Sequence, residues 1–141
     1  GILNSMAKDE ILDFWLQGSK DDFNATLNLF KGQYYSQALF FCHLSLEKYL
    51  KYFIEKNCKN SAPFTHNLIQ LAELTKIKFT KEQINLLSDI NNFNIRARYD
   101  DFKRGFYKKA TLDFTEKYIK ITKELILWLE KQSQNQLKRV L

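Results

Sequence analysis

The chain has little of what interrupts helices. It contains only 4 Gly and 1 Pro in 141 residues, whereas Leu, Lys, Glu and Gln are frequent. Because few breakers and many helix formers favour long helices, a β-sandwich is not expected. No apolar run approaches the roughly 20 residues that span a bilayer, and no signal peptide is visible. We therefore expect a helical, cytoplasmic protein without a membrane partner.

Side chains for metal or disulfide chemistry are also scarce. The chain has 2 Cys and 2 His. Cys42, Cys58, His43 and His66 do not have the spacing of a zinc site, and two such cysteines are typical of a reduced protein. The glycines stand alone, which argues against a Gly-rich phosphate loop. No metal and no cofactor are predicted.

Core material is plentiful by contrast, since 45% of the residues are hydrophobic and 15% are aromatic. A chain of this length fits one domain and can bury a core without disulfides or a metal. We expect residues 1–5, which precede Met6, to be a vector-derived remnant and residues 6–141 to form one helical domain. The segment 131–141 is expected to fray.

Apolar residues spaced by three and four predict five helices joined by short loops. Their approximate bounds are 7–31, 34–56, 66–76, 80–90 and 111–136. Gly32 is expected to end the first helix, Thr65 to cap the third, and Thr80 with Gln83 to form a capping box at the fourth. Residues 95–109 lack a clean period and are predicted to be a loop or a broken helix.

The second of these helices is apolar on most sides, so we expect it at the centre of the fold. Short connections favour antiparallel neighbours. The predicted fold class is therefore all-α, an up-and-down antiparallel bundle of four main helices plus a short one.

Polar residues in the second helix form one candidate site. His43, Glu47 and Lys51 are four residues apart and share a helix face. A histidine beside a carboxylate can serve as an acid–base pair; the alternative is a polar seam that only stabilises the helix. His66 and Asn67 begin the third helix, whose N-terminus suits an anion, or else they anchor the loop locally.

The strongest functional signal lies in residues 96–109. Its six cations and two anions leave a net charge of +4 out of the chain's +6. The cations are Arg96, Arg98, Lys103, Arg104, Lys108 and Lys109, and the interleaved aromatic residues are Tyr99, Phe102, Phe106 and Tyr107. Guanidinium groups bind phosphate and aromatic rings stack on bases, so this stretch predicts nucleotide or single-stranded RNA binding. The alternative is that Arg98 pairs with an acid such as Glu47, Tyr99 packs inward, and the lysines are merely solvated.

Four motifs follow one another along most of the chain, from about residue 7 to 129. They are a first helix that contains Trp15, a Glu-Lys-x-Leu-Lys pattern at 47–51, a Pro-x-x-His-Asn-Leu pattern at 63–68, and Arg-Ala-Arg-Tyr-Asp at 96–100. Together they resemble the HEPN domain family (higher eukaryotes and prokaryotes nucleotide-binding). Asp100 stands where a proline is common in that family.

The resemblance implies an α-helical bundle that is commonly a homodimer. Some family members are ribonucleases with an arginine followed four to six residues later by a histidine. No histidine follows Arg96 or Arg98, since His43 and His66 both lie upstream, and this departure argues against an enzyme. Other members accompany a minimal nucleotidyltransferase, either fused or as a separate chain.

Two main hypotheses follow from these observations. The first is a dimeric, nucleotide- or RNA-associated binding module that can act with a separate nucleotidyltransferase. Its candidate binding residues are Arg96, Arg98, Tyr99, Lys51, His66, Lys103 and Arg104. The second is a metal-independent, toxin-like ribonuclease with a non-standard site, whose catalytic candidates are His43, Glu47 and Arg98. A purely structural, oligomerising bundle is the third alternative.

Overall fold

The computed structural model describes the backbone of residues 7–98 and 100–140 and the side chains of residues 7–96 and 104–135. Within these ranges the chain forms six α-helices and no strand, which confirms the all-α prediction. The helices are α1 (Lys8–Lys31), α2 (Tyr35–Asn57), α3 (Leu68–Leu74), α4 (Lys81–Arg98), α5 (Asp100–Lys109) and α6 (Leu112–Val140).

The second helix lies at the centre of the fold, as its all-round apolar surface predicts. It contacts each of the other five helices. Leu46, Leu50 and Phe53 are fully buried, and they belong to one core cluster that includes Leu71 of α3 and Ile90 of α4. An isolated α2 would expose apolar surface on several sides, so its stability depends on the surrounding helices.

Small hydroxyl residues hold α1 against α2. Ser19 donates from Oγ to the Ser45 carbonyl at 2.7 Å, and Ser45 donates from Oγ to the Ser19 carbonyl at 3.1 Å. Two turns further along α1, the Thr26 hydroxyl donates to the Ala38 carbonyl at 3.2 Å. As residue numbers rise along α1 they fall along α2, so both contacts correspond to one antiparallel register. Sliding one helix along the other would leave these buried hydroxyls without partners, so this alignment is favoured.

Helix α6 runs parallel to α2, whereas α1 runs antiparallel to it. The buried Cys42 thiol of α2 bonds to the Thr122 side chain, and further along both helices Lys56 donates to Ser133 Oγ at 3.0 Å. Residue numbers rise together along this contact, so α6 runs parallel to α2. The helix continues to Val140, beyond the predicted end near 136. Fraying of residues 131–141 stays a prediction.

Of the two alternatives predicted for residues 95–109, the structure has the broken helix and not the loop. The fourth helix continues through the Asn-rich stretch to Arg98, and α5 follows at once. Ile90 and Phe93 extend the buried face of α4, and Phe93 packs against Phe106 of α5 with ring centroids 5.5 Å apart. Among the described side chains of α5, Phe106 is the buried one, and this contact joins α5 to α4.

The third helix begins later than predicted. It starts at Leu68 with Asn67 as its N-cap, and the Asn67 side chain accepts hydrogen bonds from the Ile69 and Gln70 amides. Thr65, the predicted cap, instead accepts from the Asn67 amide at 3.1 Å. Asparagine is among the best N-cap residues, which explains why it takes this position.

The capping box at the start of α4 is confirmed. The Thr80 amide donates to Gln83 Oε1 at 2.9 Å, and the Gln83 amide donates to Thr80 Oγ1 at 3.1 Å. Two amides that a helix start leaves without intrahelical partners are thereby satisfied.

A Schellman motif ends α1, but glycine does not occupy its left-handed position. The Tyr34 amide donates to the Leu29 carbonyl and the Gln33 amide to the Phe30 carbonyl. Gln33 has φ 65°, whereas Gly32, the predicted end residue, has φ −81°. A Cβ at Gly32 would lie 3.0 Å from the exposed Tyr34 ring, which would have to shift.

Replacing Gln33 by glycine should therefore stabilise the protein. Glycine adopts the left-handed conformation without the steric cost that a side chain pays, so we expect a gain of up to about 1 kcal/mol in the free energy of unfolding. Urea denaturation measures it. The matched control is Gln17→Gly in the middle of α1, which should lose about 1 kcal/mol. Equal losses in both variants would contradict the assignment.

Candidate functional site

Four polar residues form a buried ladder along one face of α2. They are four residues apart, and none is more than 5% exposed. The members of this polar ladder are His43, Glu47, Lys51 and Glu55. Charged groups in such a position need hydrogen-bonding or ionic partners, because their burial is otherwise costly.

The loop between α2 and α3 supplies most of these partners. His43 donates from Nε2 to the His66 carbonyl at 2.9 Å, and His66 donates from Nδ1 to Glu47 Oε1 at 3.0 Å. Earlier in the loop, the Ala62 amide donates to Glu55 Oε1 at 2.8 Å. The loop is thus tied to α2 in its middle, at Ala62, and close to the start of α3, at His66.

The ring of His43 is held in its neutral form. Burial lowers the pKa of His43 to about 4, although the nearby Glu47 carboxylate acts in the opposite direction. Because a carbonyl only accepts, Nε2 carries the ring proton and Nδ1 is unprotonated. Nδ1 lies 3.7 Å from Glu47 Oε1 and has no hydrogen-bond partner in the described part of the chain. This geometry favours the polar-seam interpretation of His43; a catalytic role stays a prediction.

His66 and Glu47 form a different pair, which the sequence did not indicate. The His66 side chain is 46% exposed, and its Nδ1–H points at the Glu47 carboxylate. A carboxylate bonded to one ring nitrogen fixes the tautomer and leaves Nε2 free to accept a proton. The pair therefore has the arrangement of a general base. Helical spacing had indicated His43 as the partner of Glu47, and no local signal shows that the loop returns to this turn.

The third ladder residue, Lys51, is bound within the protein. Its Nζ lies 3.3 Å from Glu47 Oε2 and 5.2 Å from the centre of the Trp15 ring. Both contacts draw the ammonium group inward, and the side chain is almost fully buried. Its predicted role in nucleotide binding would require these contacts to be shared with the ligand.

Arg96 lies in a separate place, at a small cavity of about 60 Å³ between α4 and α6. Lys109 and Asp89 line the same cavity. Tyr118 donates to Asp89 Oδ2 at 3.1 Å, and burial, together with this carboxylate, raises the pKa of Tyr118. Arg96 forms no ion pair within the part of the chain that is described.

The last turns of α5 present cations and an aromatic ring to solvent. Phe106 points into the core, so the residues around it point outward. Tyr107 is 71% exposed and is flanked by exposed basic side chains. We refer to Arg104, Tyr107, Lys108 and Lys109 as the α5 surface. Of the predicted aromatic residues, Phe106 is therefore structural and Tyr107 is accessible.

Three predicted site residues cannot be placed. The side chains of Arg98, Tyr99 and Lys103 lie outside the described residues. The structure brings His43, Glu47, Lys51 and His66 together and, separately, brings Arg96 close to Lys109. Asn91 of α4 connects the two regions, because its side chain accepts from the Leu68 amide at 2.8 Å and bonds to His43.

The described ranges offer neither a metal cluster nor a membrane span. Among these residues, no three acidic, histidine or cysteine side chains come together as metal ligands would. None of the described helices combines the length and apolar character that crossing a membrane requires.

Comparison with known proteins gives two matches. The family model of the HEPN domain matches residues 12–132. The solved structure of TT1696 from Thermus thermophilus is similar with a TM-score of 0.73 and 13% sequence identity, covering 85% of this chain and 96% of that one. At this identity the likeness concerns the fold. No curated protein matches.

The buried, neutral His43 should make the protein less stable in acid. In the unfolded chain it takes up a proton near its ordinary pKa of 6.5, but in the folded protein only near 4. Between pH 6.5 and pH 4 the unfolded state binds more protons than the folded state. Lowering the pH through this range should therefore reduce the free energy of unfolding by on the order of 3 kcal/mol, and His43 should have no effect on it at higher pH.

The test is urea denaturation at several pH values, compared with His43→Gln, whose amide can still donate to the His66 carbonyl. The variant should lose this part of the pH dependence, although Glu47 and His66 remain. An identical pH slope in both proteins would show that His43 is not its source.

Proposed function

Because the chain belongs to the HEPN family, we propose that it is a nucleotide- or RNA-associated binding module whose ligand contacts α4 and α5. Family membership supports the general class of function. The observation that supports the location is the exposed Tyr107 ring among Arg104, Lys108 and Lys109.

The chemistry of the α5 surface suits a single-stranded chain. A base can stack on an exposed aromatic ring without regard to its identity, and neighbouring cations neutralise phosphates. Arg96 and Lys109 share one cavity and add a second point of contact for a phosphate. We include Arg98, Tyr99 and Lys103 in the proposed surface on the basis of their sequence positions.

We also propose that the module acts as a homodimer and works with a separate minimal nucleotidyltransferase chain. Both proposals derive from the family resemblance. Exposed apolar side chains such as Phe14, Phe64 and Leu112 are available for such contacts. Sedimentation velocity at micromolar concentration tests the first proposal, and a monomer would contradict it.

The second candidate function is a metal-independent ribonuclease. One observation favours it, namely the Glu47 carboxylate that orients His66 as a general base. His66 would take the proton from a ribose 2′-hydroxyl as that oxygen attacks the adjacent phosphorus. The bond from phosphorus to the 5′-oxygen breaks, which leaves a 2′,3′-cyclic phosphate, and the departing 5′-oxygen takes a proton from water or from the protonated His66. A cation such as Arg98 would stabilise the charge on the phosphate. This assignment replaces His43 with His66 as the acid–base residue.

Removing the cations of the α5 surface should weaken RNA binding in a salt-dependent way. For the triple variant Arg104→Ala, Lys108→Ala, Lys109→Ala we expect the slope of log K against log salt to become less steep by about 2, since each single-strand phosphate contact contributes roughly 0.7. Fluorescence anisotropy with a short labelled single-stranded RNA measures it. A matched control removes Lys31, Lys78 and Lys81, which are exposed elsewhere.

Tyr107 tests the stacking contact in the same assay. Tyr107→Ala should weaken binding about tenfold or more, whereas Tyr107→Phe keeps a ring and should bind nearly as well. If the control triple variant loses as much affinity as the α5 variant, the attraction is unspecific and the location is wrong.

The ribonuclease alternative makes a separate prediction. Cleavage of RNA by the pure protein should be lost in His66→Ala, because the general base is removed, and kept in His43→Gln, because that ring only donates to a carbonyl. Gel electrophoresis of labelled RNA after incubation measures cleavage. Intact RNA with the unaltered protein, or equal activity in His66→Ala, rules this alternative out.

A further inference from the structure

A cavity of about 300 Å³ opens between α1, α2 and α6, on a face that the proposed function does not use. Phe23 of α1 forms one wall, and Ile126 and Leu127 of α6 form the other. The ring of Tyr49 from α2 also lines it. Clefts between helices of a bundle, with apolar walls and few polar groups, are common places for small ligands.

Tyr49 adds a phenolic hydroxyl to a lining that also includes the polar side chains of Ser19 and Asn24. Tyr49 is only 3% exposed, and its hydroxyl has no hydrogen-bond partner among the residues described. Burial, with a further contribution from the Glu130 carboxylate, raises its pKa, so the group stays a neutral donor. The hydroxyl oxygen is not among the buried side-chain atoms that lack a partner, so it is open to the cavity and a ligand oxygen can accept a hydrogen bond from it.

Charged side chains stand at the rim. Lys20 and Lys123 are exposed and Glu130 is partly buried, so the lining has a net charge of +1. None of the three forms an ion pair within the described ranges. The two ammonium groups are thus free to attract an anion, while Glu130 lies close enough to Tyr49 to disfavour negative charge near the hydroxyl.

We propose that the cavity binds a small aromatic carboxylate that carries a second, neutral oxygen. The ring lies between Phe23 and the Ile126–Leu127 wall, the carboxylate lies at the lysine rim, and the neutral oxygen accepts from the Tyr49 hydroxyl. This site is independent of RNA binding, because its residues belong to α1, α2 and α6 rather than to the α5 surface.

The test uses the fluorescent probe 6-hydroxy-2-naphthoate and two analogues of it. The first analogue, 2-naphthoate, lacks the hydroxyl, and the second, methyl 6-hydroxy-2-naphthoate, lacks the negative charge. In a fluorescence titration, Tyr49→Phe should weaken binding of the hydroxyl-bearing probe about three- to tenfold and leave 2-naphthoate unchanged. Lys123→Glu should weaken both carboxylates and leave the ester unchanged. Lys117→Glu, an exposed charge reversal elsewhere on α6, is the matched control.

Filling the cavity provides the complementary test. Ile126→Trp should abolish binding of all three probes, with the fold checked by circular dichroism; if this variant does not fold, the Tyr49→Phe comparison still decides. Unchanged binding in folded Ile126→Trp, or equal loss of both naphthoates in Tyr49→Phe, overturns the proposal. A dimer that becomes monomeric in Leu127→Asp would assign this face to a second copy and also overturn it.

Discussion

The buried carboxylate of Glu47 is the group on which the site region depends. It accepts from His66 through one oxygen and meets Lys51 through the other. Breaking a buried ion pair by removing one partner costs roughly 3–5 kcal/mol, so α2 constrains where the loop can lie. The constraint then passes along the chain: the loop positions Asn67 as the cap of α3, and Asn91 accepts from the first amide of α3. Through Asn91 the same interaction places α4, which carries Arg96.

Residues of one type have different roles here because their surroundings differ. His43 and His66 both contact the same carboxylate region, yet one is sealed in the core as a neutral donor and the other is half exposed with a free ring nitrogen. Lys51 is held by Glu47 and Trp15, whereas Lys108 stands in solvent. The net charge of a chain is therefore a poor guide to its attraction for an anionic partner, which depends on the cations that remain unpaired at the surface.

The two faces of α2 explain why the polar ladder and the cavity between α1, α2 and α6 lie apart. Successive residues of a helix are about 100° apart, so residues two positions apart point to nearly opposite sides. Glu47 faces the loop, while Ser45 faces α1 and Tyr49 lines the cavity between α1, α2 and α6. Both regions share α2, and α1 also contacts each of them through Trp15 and Phe23.

The sequence by itself determined the all-α class, the approximate bounds of the long helices, the central place of α2 and the capping box at Thr80, since these follow from local periodicity and local hydrogen bonds. It also indicated the basic segment that carries Tyr107. Only the tertiary structure decided that α5 is a helix held by the contact of Phe106 with Phe93, that Glu47 pairs with His66 across a loop, and that Tyr49 faces a cavity. Each of these joins residues that are distant in sequence, and a local pattern carries no information about which distant segment packs against it.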